Sequence, residues 1–335
     1  MPSTVQQADS QYALDWSKWP VPTMPDLKVV PWGNIDSFWQ HDLLSEPVDT
    51  ERTNALSLSD YDLPIDADAG NAPWEGVSYG MPFNIINNAT PLTKVWDMSR
   101  PITWNWFTPK FPITRVPLPN LVRRGGDPTN SFDMHCIAWN EESKILWEAI
   151  VLNSSPFNRL KTFGQCDWVC GYDGGGRGIE RWDCNKPWDA PGQPMGVVAA
   201  NVPKFPLVAR WEEIQKGRID HMIFAVLPNY APEKVGYARG TDGDWVGHPC
   251  RAGERLRLKA EVVQRFAPGT AARIVAQALH EFGMMIGDRT RGKGARTGPA
   301  GIELTQDRRW DQGDGNIGPI GRMGLMLSDF EVIAQ

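Results

Sequence analysis

Residues 132–150 read FDMHCIAWNEESKILWEAI, and how the two apolar runs pair across the polar turn at 140–143 decides the fold class. The turn residues Asn140, Glu141, Glu142 and Ser143 separate two segments of strand length, so the stretch reads as a β-hairpin. An even loop centred on Glu141 and Glu142 places Trp139 opposite Lys144, His135 opposite Glu148 and Asp133 opposite Ile150. Side chains alternate along a strand, and directly opposed residues share a face. One face then carries Met134, Cys136, Ala138, Ile145, Trp147 and Ala149, all apolar. The other carries Asp133, His135, Ile137, Trp139, Lys144, Leu146, Glu148 and Ile150. A slip of one residue would mix the two faces, so the pattern disfavours it. The expectation is a hairpin with one core face and a second face gathering an acid–imidazole–acid cluster at one end.

The composition agrees with a strand-rich chain. Hydrophobic residues make up 41% of 335 positions, and 16 Trp supply ample material for a core. The 28 Pro and 32 Gly argue for short strands joined by turns rather than for long helices. A net charge of -6 without a long basic run argues against nucleic acid as a partner. The basic, Gly-rich RTRGKGAR at 289–296 reads as a solvated loop. No apolar run approaches membrane-spanning length, and the N-terminus lacks the charged-then-apolar pattern of a signal peptide. The expectation is synthesis in the cytoplasm, with the chain either soluble there or carried out in a particle. Of the five Cys, Cys136 lies on the core face of the hairpin, while Cys166, Cys170 and Cys184 cluster in a Gly-rich stretch. Free thiols, one loop disulfide and a zinc site are the readings, in that order, because no fourth zinc ligand lies nearby.

Along the chain, residues 1–72 are rich in Pro, Trp and Asp without sustained periodicity, and read as an extended arm. A flexible tail is the plain alternative, but the density of Trp, at Trp16, Trp19, Trp32 and Trp39, suits an arm that docks on another surface. From residue 73 to 335 strand candidates dominate: 77–86, 102–107, the hairpin, 217–228, 253–263, 283–289, 300–307 and 328–334. One helix is expected at 271–282, with Thr270 as N-cap, a stripe of Ile274, Val275, Ala278, Leu279 and Phe282, and Gly283 as the stop. Residues 153–210 form a long Gly/Pro/Trp-rich excursion. The sum is a mainly β protein, an antiparallel β-sandwich of jelly-roll or lectin-like type with one packed helix and an extended N-terminal arm.

Asp133, His135 and Glu148 form the strongest candidate site, with His221 at the start of an apolar strand as a possible fourth member. Paired carboxyl groups can divide acid and base roles in glycoside cleavage, with an imidazole as proton shuttle. The same residues could hold a divalent metal, or simply form a satisfied buried network. No cofactor motif competes with them, and DGGGRG at 173–178 lacks the strand and helix of a phosphate loop. Trp139, and Trp310 in a charged turn, are candidate sugar-stacking rings or plain structural anchors.

Several segments together resemble a family found in actinobacteria and in the tails of their phages. They are Asp133-Met134-His135, Trp147-Glu148, LVARWEEI at 207–214 and Gly217-Arg218-Ile219-Asp220-His221. Arg255–Leu258, Phe282–Asp288 and SDFEV at 328–332 complete the order, which spans roughly residues 75–335. The resemblance departs at Gly196-Val197-Val198-Ala199-Ala200, where the family often carries Ser and Asp. It implies a minor tail protein of a virion, with other tail proteins bound through the arm and a host cell-envelope glycan bound by the β body. A glycan-degrading enzyme on the same scaffold and a purely architectural tail component are the alternatives.

Overall fold

The structure is a computed structural model that describes residues 38–68, 80–97, 103–104, 109–110, 113–118, 135–150, 168–170, 178–290, 294–298, 300–305, 310 and 323–335. Asp133, Met134 and Cys166 lie outside these residues, as do Trp16, Trp19 and Trp32. The protein is mainly β, with several sheets and a few short helices.

A seven-stranded sheet forms the main layer. Its strands are β1 (Pro64–Asp68), β11 (Ile223–Leu227), β14 (Arg255–Leu258), β15 (Met284–Arg289), β16 (Ala300–Glu303), β17 (Leu325–Met326) and β18 (Phe330–Val332), in the order β17-β1-β16-β11-β15-β14-β18. A four-stranded sheet contains β2 (Phe83–Ile86), β7 (Cys136–Asn140), β8 (Ile145–Ala149) and β10 (Ile179–Asp183), ordered β10-β8-β7-β2. Smaller sheets join β3 (Leu92–Asp97) to β6 (Ile113–Pro117) and β9 (Trp168–Cys170), β4 (Thr103–Trp104) to β5 (Pro109–Lys110), and β12 (Ala231–Lys234) to β13 (Arg251–Ala252).

The expected antiparallel arrangement holds for only part of the pairing. β1 runs parallel to β16, β11 to β15, β2 to β7 and β3 to β9, so both large sheets are mixed. The central β11, reading IFAVL, is apolar throughout because both of its faces are covered. α4 (Ala271–Glu281), the expected helix, packs on β14; Thr270 Oγ1 accepts from Arg273 N there, and Val275, Ala276, Ala278 and Leu279 are buried. Gly283 follows at φ 76, and a Cβ there would stand 2.6 Å from Leu256 O, so glycine is required on both counts.

Three further helices correct the one-helix expectation: α1 (Thr50–Ala55), α2 (Trp211–Lys216) and α3 (Ala260–Val263). The last converts the end of the expected strand 253–263 into a helical turn. A larger correction concerns residues 38–68 of the expected arm. Phe38 and Trp39 are each 2% exposed, packed in the core of their own chain, and β1 is an inner strand of the main sheet. The excursion at 153–210 likewise supplies β10 and a buried run from Val202 to Arg210.

The hairpin exists with a shifted register. Trp139 pairs with Leu146, and Ile137 with Glu148, two residues from the expected partners. The reason lies in the turn. Asn140 Oδ1 accepts from the N–H groups of Glu142 and Ser143, each at 3.0 Å, and Lys144 adopts φ 57, so four residues make the connection. A two-residue shift preserves the side-chain period, so the two faces are those expected. Both faces are buried, however. Cys136, Ala138 and Ala149 join a small core, while Ile137, Trp139 and Leu146 enter the large core shared with the seven-stranded sheet.

Candidate functional site

Glu148 stands on the β8 face that packs toward the main sheet and is 1% exposed. A carboxylate there needs donors, and the surrounding loops provide three. Glu148 Oε1 accepts from the backbone N–H groups of Lys204 and Phe205, both at 2.8 Å, and Oε2 accepts from Trp182 Nε1 at 3.0 Å. Burial, against these bonds, pushes Glu148 up to about 7.

Lys204 carries the network onward. Its Nζ donates to Glu303 Oε1 on β16 at 2.9 Å, lies 3.4 Å from His135 Nε2, and sits 4.9 Å from the Phe224 ring centroid. Lys204 and Glu303 are 3% and 5% exposed, so this is a buried ion pair. Burial first, and the Lys204 charge second, hold His135 well below the usual imidazole range. A neutral His135 accepts from Lys204 at Nε2. Among the described residues Glu303 Oε2 has no hydrogen-bond partner. The result is a chain of contacts Glu148–Lys204–Glu303, with His135 on the Lys204 side, that ties the four-stranded sheet to the seven-stranded one.

His221 belongs to a separate network. Its Nδ1 faces Met222 O at 2.8 Å and its Nε2 faces Glu213 Oε2 at 3.2 Å. Arg210 Nη2 donates to Glu213 Oε1 at 2.6 Å, and Glu213 Oε2 also accepts from Arg210 N at 2.9 Å, closing the start of α2. Burial acts to raise Glu213, but the charges of Arg210 and His221 hold it well below the ordinary carboxylate range. The four-member site Asp133, His135, Glu148 and His221 is therefore corrected: His135 and Glu148 meet through Lys204, His221 is engaged by Glu213, and Asp133 lies outside the described residues.

Neither candidate sugar-stacking ring offers a face to solvent. Trp139 is 0% exposed and stacks on Phe205, ring centroids 5.7 Å apart. Trp310 is 0% exposed, donates from Nε1 to Thr305 Oγ1 at 3.1 Å and meets Trp211 edge-on. Both are packing anchors. A Trp310→Phe variant loses one buried hydrogen bond and some packing, and should be less stable by roughly 1–2 kcal/mol in urea denaturation.

Cys136, Cys170, Cys184 and Cys250 are buried free thiols, and burial pushes Cys184 and Cys250 far up from the usual thiol range. Among the described residues no group of three or more His, Cys, Asp or Glu is placed to hold a metal ion, and no helix is long and apolar enough to cross a membrane. The RTRGKGAR segment is pinned where it is described. Arg289 pairs with Asp242 at 2.9 Å and with Asp244 at 3.3 Å, Gly294 N donates to Asp244, and Arg296 lies over Trp245 at 5.1 Å.

Sequence reasoning missed Lys204, Glu303 and Trp182. Two of them left a signal: Lys204 is the one charge in NVPKFPLVA, and Glu303 interrupts the apolar start of AGIELTQD. Comparison of the chain with protein-family models, with curated proteins and with solved structures returns no match.

Proposed function

We propose that this protein is a minor tail component of a phage virion, an architectural body of sandwich-like sheets that binds a host cell-envelope glycan and does not cleave it. Other tail proteins are its remaining partners. The motif order from Trp147-Glu148 to SDFEV supports the tail reading. The observation that carries binding and architecture over cleavage is the state of Glu148. Both of its oxygens are occupied by three fixed N–H donors, and 1% exposure leaves no approach for a glycosidic oxygen. The glycan contact accordingly belongs to the exposed surface and not to the buried cluster.

One observation favours the glycan-cleaving alternative. A carboxyl group held near 7 is suited to a general acid, and a second buried carboxylate, Glu303, keeps one oxygen unpartnered. Incubation of the purified chain with host-envelope polysaccharide separates the two. Retention on the polysaccharide with no released product, for wild type and Glu148→Gln alike, is the expected result. Product release that disappears in Glu148→Gln would establish the enzyme, and absence of both retention and release would leave architecture alone. The half-buried position of His135 beside Lys204 adds a stability readout: His135→Ala should lower the thermal midpoint while leaving adsorption of assembled particles intact.

A further inference from the structure

An ion pair in a protein core is favourable only where further hydrogen bonds satisfy both partners. Lys204 and Glu303 meet that condition incompletely. Lys204 Nζ donates to Glu303 Oε1 at 2.9 Å and to His135 Nε2 at 3.4 Å, and it faces the ring of the fully buried Phe224. Glu303 Oε2 is buried and has no hydrogen-bond partner among the described residues.

A primary amine and a carboxyl group held in contact away from water are the reactants of an amide bond. In water the charged amine and acid are well solvated, and the amide is the less favoured state. In a core those charges carry a desolvation cost, and the water that the reaction forms can leave. Fixed contact also supplies the positioning that the same reaction lacks in solution. Nζ touches Oε1, and Glu303 Cδ lies one bond beyond. His135 Nε2 faces the same nitrogen, and burial with the Lys204 charge keeps the imidazole neutral, so its lone pair is available to a proton.

We infer that Lys204 and Glu303 condense to an internal isopeptide bond between Nζ and Cδ, with His135 as the proton carrier. Nζ first passes one proton to Oε1, which leaves an amine facing a neutral carboxyl group. The amine lone pair then forms the Nζ–Cδ bond. The C=O pair moves onto Oε2, and a second proton passes from Nζ to His135 Nε2. When the pair on Oε2 restores the carbonyl, the Cδ–Oε1 bond breaks. Oε1 takes the proton from His135 and departs as water. The two side chains are the only reactants. In the product the buried charges are gone, and an unpartnered Oε2 costs less as an amide carbonyl than as part of a carboxylate. The bond would tie the loop before Phe205 to β16 across 99 positions. It is a covalent property of the chain, and it stands whether or not the protein binds a glycan.

Intact-mass measurement on the purified full chain, denatured, is the test. Wild type should be lighter than its sequence by one water, and tryptic digestion should yield a branched peptide joining residue 204 to residue 303. Lys204→Met and Glu303→Leu should each show the full sequence mass. In cell-free synthesis quenched at intervals, His135→Ala should lose the water roughly a hundredfold more slowly than wild type. His135→Asn keeps a hydrogen-bond acceptor without a basic nitrogen and should be as slow. Circular dichroism reports whether these two variants fold, and the wild-type mass decides the bond in either case. A wild-type chain at its full sequence mass, cleaved by trypsin after Lys204, overturns the inference. So does a lost water that Lys204→Met shares, or one that maps elsewhere, such as a succinimide at Asp242-Gly243. Loss as fast in folded His135→Asn as in wild type overturns the role given to the imidazole.

Discussion

Lys204→Met lowers the unfolding free energy by about 3–5 kcal/mol, because it strands the Glu303 carboxylate in the core. The two side chains are 3% and 6% exposed, so the solvent screening that makes surface ion pairs nearly worthless does not apply. Wild-type Glu303 already has an oxygen without a partner, and removing Lys204 Nζ deprives it of its other partner too. The backbone N–H that Lys204 gives to Glu148 survives any substitution other than proline, so the variant isolates the side chain. The methylene stem and the contact with the Phe224 ring are replaced by a thioether of similar length, which keeps packing loss small. Lys204→Met with Glu303→Leu then leaves no uncompensated charge, and most of the lost stability should return. Urea unfolding of wild type, both single variants and the double variant completes the cycle. A double variant as unstable as the sum of the singles would show that the pair is not the link between the sheets.

Residues that act through local pattern were legible in the sequence, and those that act across the chain were not. The helix at 271–281 could be read because Thr270, the apolar stripe and Gly283 lie within one segment. The hairpin faces could be read even with the wrong register, since an error of two residues leaves every side chain on its own face. What the pattern could not reveal is that the polar face of the hairpin is itself buried. That depends on Lys204, 56 residues beyond Glu148, and on Glu303, a further 99 residues on. β1 shows the same limit. Its PIDAD sequence has weak strand propensity and reads as part of an arm, and only parallel pairing with β16, over 200 residues later, makes it an inner strand. His221 was read as a possible fourth member of the site because a polar ring stands out before an apolar strand, but its partner Glu213 lies on a short helix that the strand-rich reading passed over.

The second large effect is a change of sign with pH in the cost of Glu148→Gln. Glu148 rises from an ordinary 4.5 to about 7 on folding, so the folded state holds its proton more tightly than the unfolded chain. The stability linked to that proton is complete below pH 4.5 and is lost as pH rises through 7, a loss of roughly 3 kcal/mol for a shift of this size. Glutamine carries no such dependence. Its oxygen can keep the N–H groups of Lys204 and Phe205, but its amide N–H then faces the Trp182 indole N–H, donor against donor. That mismatch costs about 1–3 kcal/mol. At pH 4.5 the variant should therefore be less stable than wild type by that amount. At pH 8 the wild type has lost its proton-linked contribution, and the two should be equal or reversed in order. Other buried groups also titrate in this range: burial holds His248 down at about 4, for example. Comparing variant with wild type at each pH cancels those contributions. Trp182→Phe removes the opposing indole donor, so in its background the cost of Glu148→Gln at pH 4.5 should shrink by about 1 kcal/mol or more. Equal differences at pH 4.5 and pH 8 would mean that Glu148 is ionised throughout, its three donors outweighing burial.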